Sequence, residues 1–158
     1  MRQRCYIAGP LGFTEAGRRY QAEVYLPALA VVVEPVDPWA LTTPEELAHA
    51  RAHGRQRELA LEIGRRNADA IRSCRLLVAQ LDGQEVDSGT AAEVGYAAAL
   101  GLTCFGWRTD LRDAGEPGVR VNLQLESFIA ESGGEITGSL DGLLSALRRA
   151  PSAPREGT

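Results

Sequence analysis

The chain has 158 residues, 44% of them hydrophobic and 24% charged, which fits one compact domain around one core and leaves no room for two ordinary ones. Its 17 basic residues are all arginine, so a phosphate loop that relies on lysine is excluded, as is any lysine Schiff-base or pyridoxal-phosphate chemistry. The net charge of -4, without a concentrated basic stripe, lacks the electrostatic footprint of a nucleic-acid binder, and nucleic acid is not an expected partner.

Cys5, Cys74 and Cys104 are odd in number, widely spaced and form no CxxC pair. That pattern argues against a disulfide framework and a structural zinc site, and a reduced, cytoplasmic setting is expected. The N-terminal MRQRCYIAGP enters an apolar run too short for a secretory signal, and no apolar stretch reaches the roughly 18 residues of a membrane span. Neither secretion nor a membrane partner is expected.

Apolar runs predict strands over residues 5–8, 30–33, 75–80 and 102–107, with helical patterns between them. Such alternation is the signature of βαβ units and a parallel sheet. The first strand leads through a Gly9-Pro10 turn into a helix over 15–29. Thr43-Pro44-Glu45-Glu46 marks a helix start, with Thr43 as N-cap, Pro44 in the first turn and Glu46 closing a capping box. After Gly54 a second helical run covers 57–74, with Leu59, Ile63 and Ile71 at apolar positions. A helix over 90–100 ends at Gly101 as its cap. Residues 108–121 have no helical period and read as a long surface loop of the kind that often carries function. A short helix over 122–131, a Ser132-Gly133-Gly134 turn, a fifth strand over 135–137 and an amphipathic helix over 139–149 complete a domain of residues 1–149. Residues 150–158 are expected to be a disordered tail.

An open sheet of this kind places its ligand crevice outside the carboxyl ends of its strands, which directs attention to 9–13, 35–39, 81–93 and 107–112. The densest polar cluster runs from Leu81 to Glu93 and carries Asp82, Asp87 and Glu93. Thr90 and Glu93 have capping-box spacing, which would give Glu93 a purely structural use. Three carboxylates crowded at one strand end are costly, and become useful with a ligand or a shared proton. Other machinery is missing. His49 and His53 stand at i, i+4 without the Glu of a zinc-protease motif. Gly9-Pro10-Leu11-Gly12 lacks dinucleotide-binding spacing, Ser88 is in no nucleophile elbow, and Cys5 and Cys104 read as small core residues. A carboxylate-driven reaction remains.

The run Tyr6-Ile7-Ala8-Gly9-Pro10-Leu11, the pair Asn67-x-x-x-Ile71, and Leu81-Asp82-Gly83 followed by Asp87-Ser88-Gly89-Thr90-Ala91-x-Glu93-x-Gly95-Tyr96-Ala97 resemble the nucleoside 2-deoxyribosyltransferase family. So do Gly106-Trp107-Arg108-Thr109-Asp110-Leu111-Arg112, Asn122 and Ser132-Gly133-Gly134. The resemblance implies a flavodoxin-like α/β fold, an open parallel sheet of about five strands with helices on both faces. It also implies transfer of 2-deoxyribose between nucleobases with no metal and no organic cofactor, the partners being a 2′-deoxynucleoside and a free nucleobase.

On this resemblance Glu93 is the nucleophile that attacks C1′ through an oxocarbenium-like transition state, and a second base resolves the resulting ester with net retention. Tyr6 orients it, Asp87 binds deoxyribose hydroxyls, and Gly9 falls among the substrate-contacting positions. Asn122 is expected to reach the sugar from a neighbouring subunit, which implies a homo-oligomer, a dimer or hexamer with shared sites. Read from the residues alone, Tyr6 is a packed core aromatic and Asn122 a helix N-cap. Some members carry an aspartate where this chain has Asn67. An amide cannot be a general acid, which leaves Asn67 to hydrogen-bond the base and Asp82 as the second choice for proton handling. Trp39 is placed either to stack on the base or to pack in the core. Two other functions fit. One is hydrolysis of 2′-deoxynucleosides or their 5′-monophosphates, with Arg108 and Arg112 as the available cations; the other is a non-catalytic nucleoside or nucleotide sensor.

Overall fold

The computed structural model describes residues 2–112 and 114–151. Five strands form one sheet: β1 (Arg4–Ala8), β2 (Glu34–Val36), β3 (Leu76–Gln80), β4 (Thr103–Trp107) and β5 (Ile136–Thr137), in the order β2-β1-β3-β4-β5. Every pairing is parallel, and the 2-1-3-4-5 order is that of flavodoxin-like doubly wound folds. β3 and β4 are buried along their whole length. Covered on both faces, they read as continuous apolar runs rather than as alternating ones.

Alternate strand residues divide the core into two. On one face Tyr6, Leu77, Ala79 and Leu81 pack against α4 (Gln56–Arg72), α5 (Ser88–Ala99) and α6 (Leu123–Glu131), through Ile71, Val94 and Ile129 among others. On the other, Ile7, Val78, Phe105 and Trp107 meet α2 (Leu26–Ala30) and α7 (Leu140–Arg149) through Leu29, Leu143 and Leu147. This alternation turns Tyr6 toward α5 while its neighbours Cys5 and Ile7 face away.

The helix expected over 15–29 is present in three parts: α1 (Glu15–Tyr20), a π-helical turn Gln21–Tyr25, and α2. Pro27 is the physical cause. It has no N–H for the carbonyl four residues back and its ring crowds that carbonyl. The turn before it widens, and the Leu26 N–H reaches the Gln21 carbonyl five residues back.

The second strand is not at 30–33 but at Glu34–Val36. The N–H groups of Val31, Val32 and Val33 go to the carbonyls of Ala28 and Leu29, so the three valines close α2 instead of joining the sheet. β2 is an edge strand, where Pro35 and its missing N–H are tolerated.

Thr43 caps α3 (Pro44–Ala52) by the expected reciprocal box, with the Glu46 N–H on the Thr43 hydroxyl at 3.2 Å and the Thr43 N–H on the Glu46 carboxylate at 2.8 Å. Described residues of 108–121 contain no helix or strand. Of the expected tail, Ala150 and Pro151 are described, and the Gln3 amide donates to the Pro151 carbonyl at 3.1 Å; residues 152–158 lie outside the described set. Among the described residues no helix is long and apolar enough to cross a membrane.

Candidate active site

Three elements converge on Glu93. It sits in the second turn of α5, and the hydroxyl of Tyr6 on β1 donates to its Oε1 at 2.6 Å. The Asn67 amide on α4 donates to the same oxygen at 3.5 Å. The Asn67 Oδ1 is buried and has no hydrogen-bond partner among the described residues. Burial pushes the Glu93 carboxyl above its ordinary range; the Tyr6 hydroxyl pulls it back, the Asp87 charge adds to the rise, and the Asn67 amide pulls it down. Burial also raises the Tyr6 hydroxyl, reinforced by the Glu93 charge and hydrogen bond. Tyr6 therefore stays protonated and acts as a donor.

The capping use of Glu93 does not occur. Asp87 is the N-cap of α5, and its Oδ2 accepts from the Thr90 N–H at 2.9 Å and the Thr90 hydroxyl at 3.0 Å. The helix begins two residues earlier than its expected start at 90, because Asp87 rather than Thr90 satisfies the first open N–H groups. Glu93 is left free to face Tyr6.

Asp82 is not brought to this pair. Its carboxylate accepts from the Thr109 N–H, the Thr109 hydroxyl and the Asp110 N–H, joining the segment after β3 to the segment after β4. Asp110 returns the link by accepting from the Gly83 N–H at 3.2 Å. Arg108, only 1% exposed, completes the clamp: its guanidinium donates to the carbonyls of Leu81, Gly83 and Arg112. The crowd of three acids read from the sequence is thus two acids at the crevice and one in a loop clamp. Arg112 lies along Asp110 in an ion pair that holds the Asp110 carboxyl well below the usual range.

The other candidates line the same end of the sheet. Gly9 ends β1 with φ +154°, and a Cβ there would stand 3.0 Å from the Gln80 Cβ, so the glycine permits close approach of two strands. Trp39 lies in a 3-10 turn, Pro38–Leu41, that follows β2, and is 39% exposed rather than packed in the core. Asn122 caps α6, its Oδ1 accepting from the Gln124 N–H at 3.0 Å, and is exposed. Sequence reading passed over Asp37. It caps the Trp39 turn, takes a hydrogen bond from Gln21, and is pushed up by burial, against those two donors. The Asp-Pro-Trp order was its visible signal, an acid positioned to cap a turn opened by proline. Among the described residues no group of three or more His, Cys, Asp or Glu is placed to hold a metal ion.

The family described as nucleoside 2-deoxyribosyltransferase matches residues 5–136. No curated protein compared with the chain matches it. Among solved structures, a 2-deoxyribosyltransferase from Leishmania mexicana is similar at 26% identity and a TM-score of 0.67, over 94% of this chain and 99% of that one. A 2-deoxyribosyltransferase from Bacillus psychrosaccharolyticus has a TM-score of 0.67 at 15% identity, over 94% and 93% of the two chains. A CMP N-glycosidase from Clostridium botulinum has a TM-score of 0.54 at 16% identity, over 92% and 98%. At those identities the last two show a shared fold. The family match covers most of the chain, from β1 through the Tyr6, Asn67, Asp87 and Glu93 positions to the start of β5, and the chain belongs to the nucleoside 2-deoxyribosyltransferase family.

Proposed function

We propose that the protein moves 2-deoxyribose between nucleobases by double displacement at Glu93. The observation that carries this reading is the 2.6 Å hydrogen bond from the Tyr6 hydroxyl to the Glu93 carboxylate at the mouth of the sheet. A half-buried carboxylate that makes no ion pair among the described residues and is aimed by a phenol is arranged as a nucleophile.

In the first step a Glu93 oxygen bonds to C1′ as the C1′–N bond breaks. The electron pair leaves with the base, which takes up a proton. Positive charge on the sugar peaks between these events, and the carboxylate stabilises it before bonding. A nitrogen of the second base then attacks C1′ and gives up its proton, balancing the one taken up by the first base; the ester bond breaks, and Glu93 returns as carboxylate. Two inversions give net retention.

Asn67 cannot supply the leaving group's proton; its Oδ1 is suited to accept an N–H from the base. Asp87 spends Oδ2 on the helix cap, and Oδ1 remains for a deoxyribose hydroxyl. Trp39 offers a ring for base stacking, and Asn122, exposed at the end of α6, is accessible to the site of a neighbouring subunit in a homo-oligomer.

A 5′-monophosphate substrate is disfavoured, because Arg108 is committed to three carbonyls and Arg112 to Asp110. The test is incubation with a 2′-deoxynucleoside and a second free base, with new nucleoside and free sugar separated by chromatography. A new deoxynucleoside in the wild type and none with Glu93→Ala is expected. Free sugar alone, or full activity in Glu93→Ala, overturns the reading.

A further inference from the structure

Phe13 and Trp39 are large aromatics left open at the carboxyl ends of β1 and β2, 68% and 39% exposed. Their rings meet edge to face at 4.7 Å and 89°. Burial does not account for either of them, yet the Trp39 ring is held from several sides. Its indole lies on the backbone of Gly12, so closely that a Cβ on Gly12 would stand 2.1 Å from two of its ring carbons. Gly12 is itself buried in the 3-10 turn Pro10–Phe13 that follows β1, and the Arg18 guanidinium grips its carbonyl at 3.1 Å.

Asp37 fixes the backbone that carries the ring: its Oδ1 accepts the Trp39 main-chain N–H at 3.0 Å and the Gln21 side-chain amide N–H at 3.0 Å. Gln21 is 6% exposed and belongs to the π-helical turn. Both turns that bracket the indole are therefore anchored to one helical segment, Glu15 to Tyr25.

We propose that Gly12 and Asp37 are positioning residues that seat the Trp39 indole as the stacking platform for the nucleobase, and that they set affinity for the base through Trp39. The proposal rests on the transferase reading for the identity of the ligand. A ring fixed before binding loses little freedom when a planar heterocycle stacks on it, which is where the affinity arises. Stacking tolerates any base, because every base has a π-face. This contact therefore serves purines and pyrimidines alike and does not choose between them.

The test uses binding of free adenine and free cytosine to the intact protein by calorimetry, which needs no turnover. Gly12→Ala is expected to weaken both bases about tenfold and to raise KM for the deoxynucleoside by a similar factor, with kcat changed less than about threefold. Trp39→Ala gives the same loss, and adding Gly12→Ala to it costs nothing further. Asp37→Asn, which keeps an acceptor, retains most of the affinity that Asp37→Ala loses. Wild-type affinity in Gly12→Ala, or additive losses in the double variant as a merely structural role would give, overturns the proposal. Transfer without measurable effect of Trp39→Ala on base binding also overturns it. Base binding that responds as described, without transfer in the wild type, leaves the platform standing and overturns the transferase reading.

Discussion

Tyr6 and Glu93 are 87 positions apart in the chain and share a 2.6 Å hydrogen bond. Parallel pairing puts β1 between β2 and β3, alternation turns Tyr6 toward the α5 face, and the cap at Asp87 fixes where on α5 Glu93 falls. The Tyr6 hydroxyl opposes the upward push of burial on the Glu93 carboxyl. Tyr6→Phe removes that opposition. The acid limb of the kcat/KM profile is expected to move to higher pH, and the plateau to fall about a hundredfold. A pH–rate series on the two proteins checks this, and an unmoved limb contradicts it.

Glu93→Gln is expected to abolish transfer and to stabilise the fold at neutral pH. The folded carboxyl titrates above its unfolded value, so the wild type binds more protons folded than unfolded between the two. Its stability falls as pH rises through that window. The glutamine variant escapes this loss, melting a few degrees higher at pH 7 and level with the wild type below pH about 4. Melting curves at the two pH values decide; an equal difference at both removes the burial argument.

Asp87 separates its two effects by substitution. Asp87→Asn keeps a capping oxygen but removes the charge that raises Glu93, so the acid limb moves to lower pH. Asp87→Ala loses the cap as well and costs about 1 kcal/mol in urea unfolding.

Elements whose signals are local were readable from the sequence. The Thr43 box and the buried runs of β3 and β4 need only their own residues. Val31 to Val33 misled because β-branched composition fits a strand, while the destination of their N–H groups was fixed by the preceding helix. At the site, spacing identified Asp82, Asp87 and Glu93 as a group but carried no information on direction. Asp82 turns to Thr109 and Asp110, 27 and 28 positions away, and only the fold of the later loop determines that. Tyr6 as a single aromatic in an apolar run was indistinguishable from core until α5 was in place.

Arg108→Met is expected to destabilise the protein by about 3 kcal/mol, since it leaves the carbonyls of Leu81, Gly83 and Arg112 without their donor. Arg112→Ala, at a pair whose arginine is exposed and whose Asp110 keeps the Gly83 N–H, leaves the unfolding midpoint near the wild-type value. It also leaves the ratio of turnover on a deoxynucleoside to that on its monophosphate unchanged. Denaturant titration and paired rates check both; a ratio shifted by Arg112→Ala would restore a phosphate-binding use for that side chain.

The two margins of the sheet have a consequence for how copies of the chain can meet. β2 is three residues long with Pro35 at its centre, and β5 is two residues long. Neither offers a run of free N–H and C=O groups long enough to template another strand. Growth of the sheet from molecule to molecule is closed off at both ends, and any assembly of this protein is left to its helices and loops.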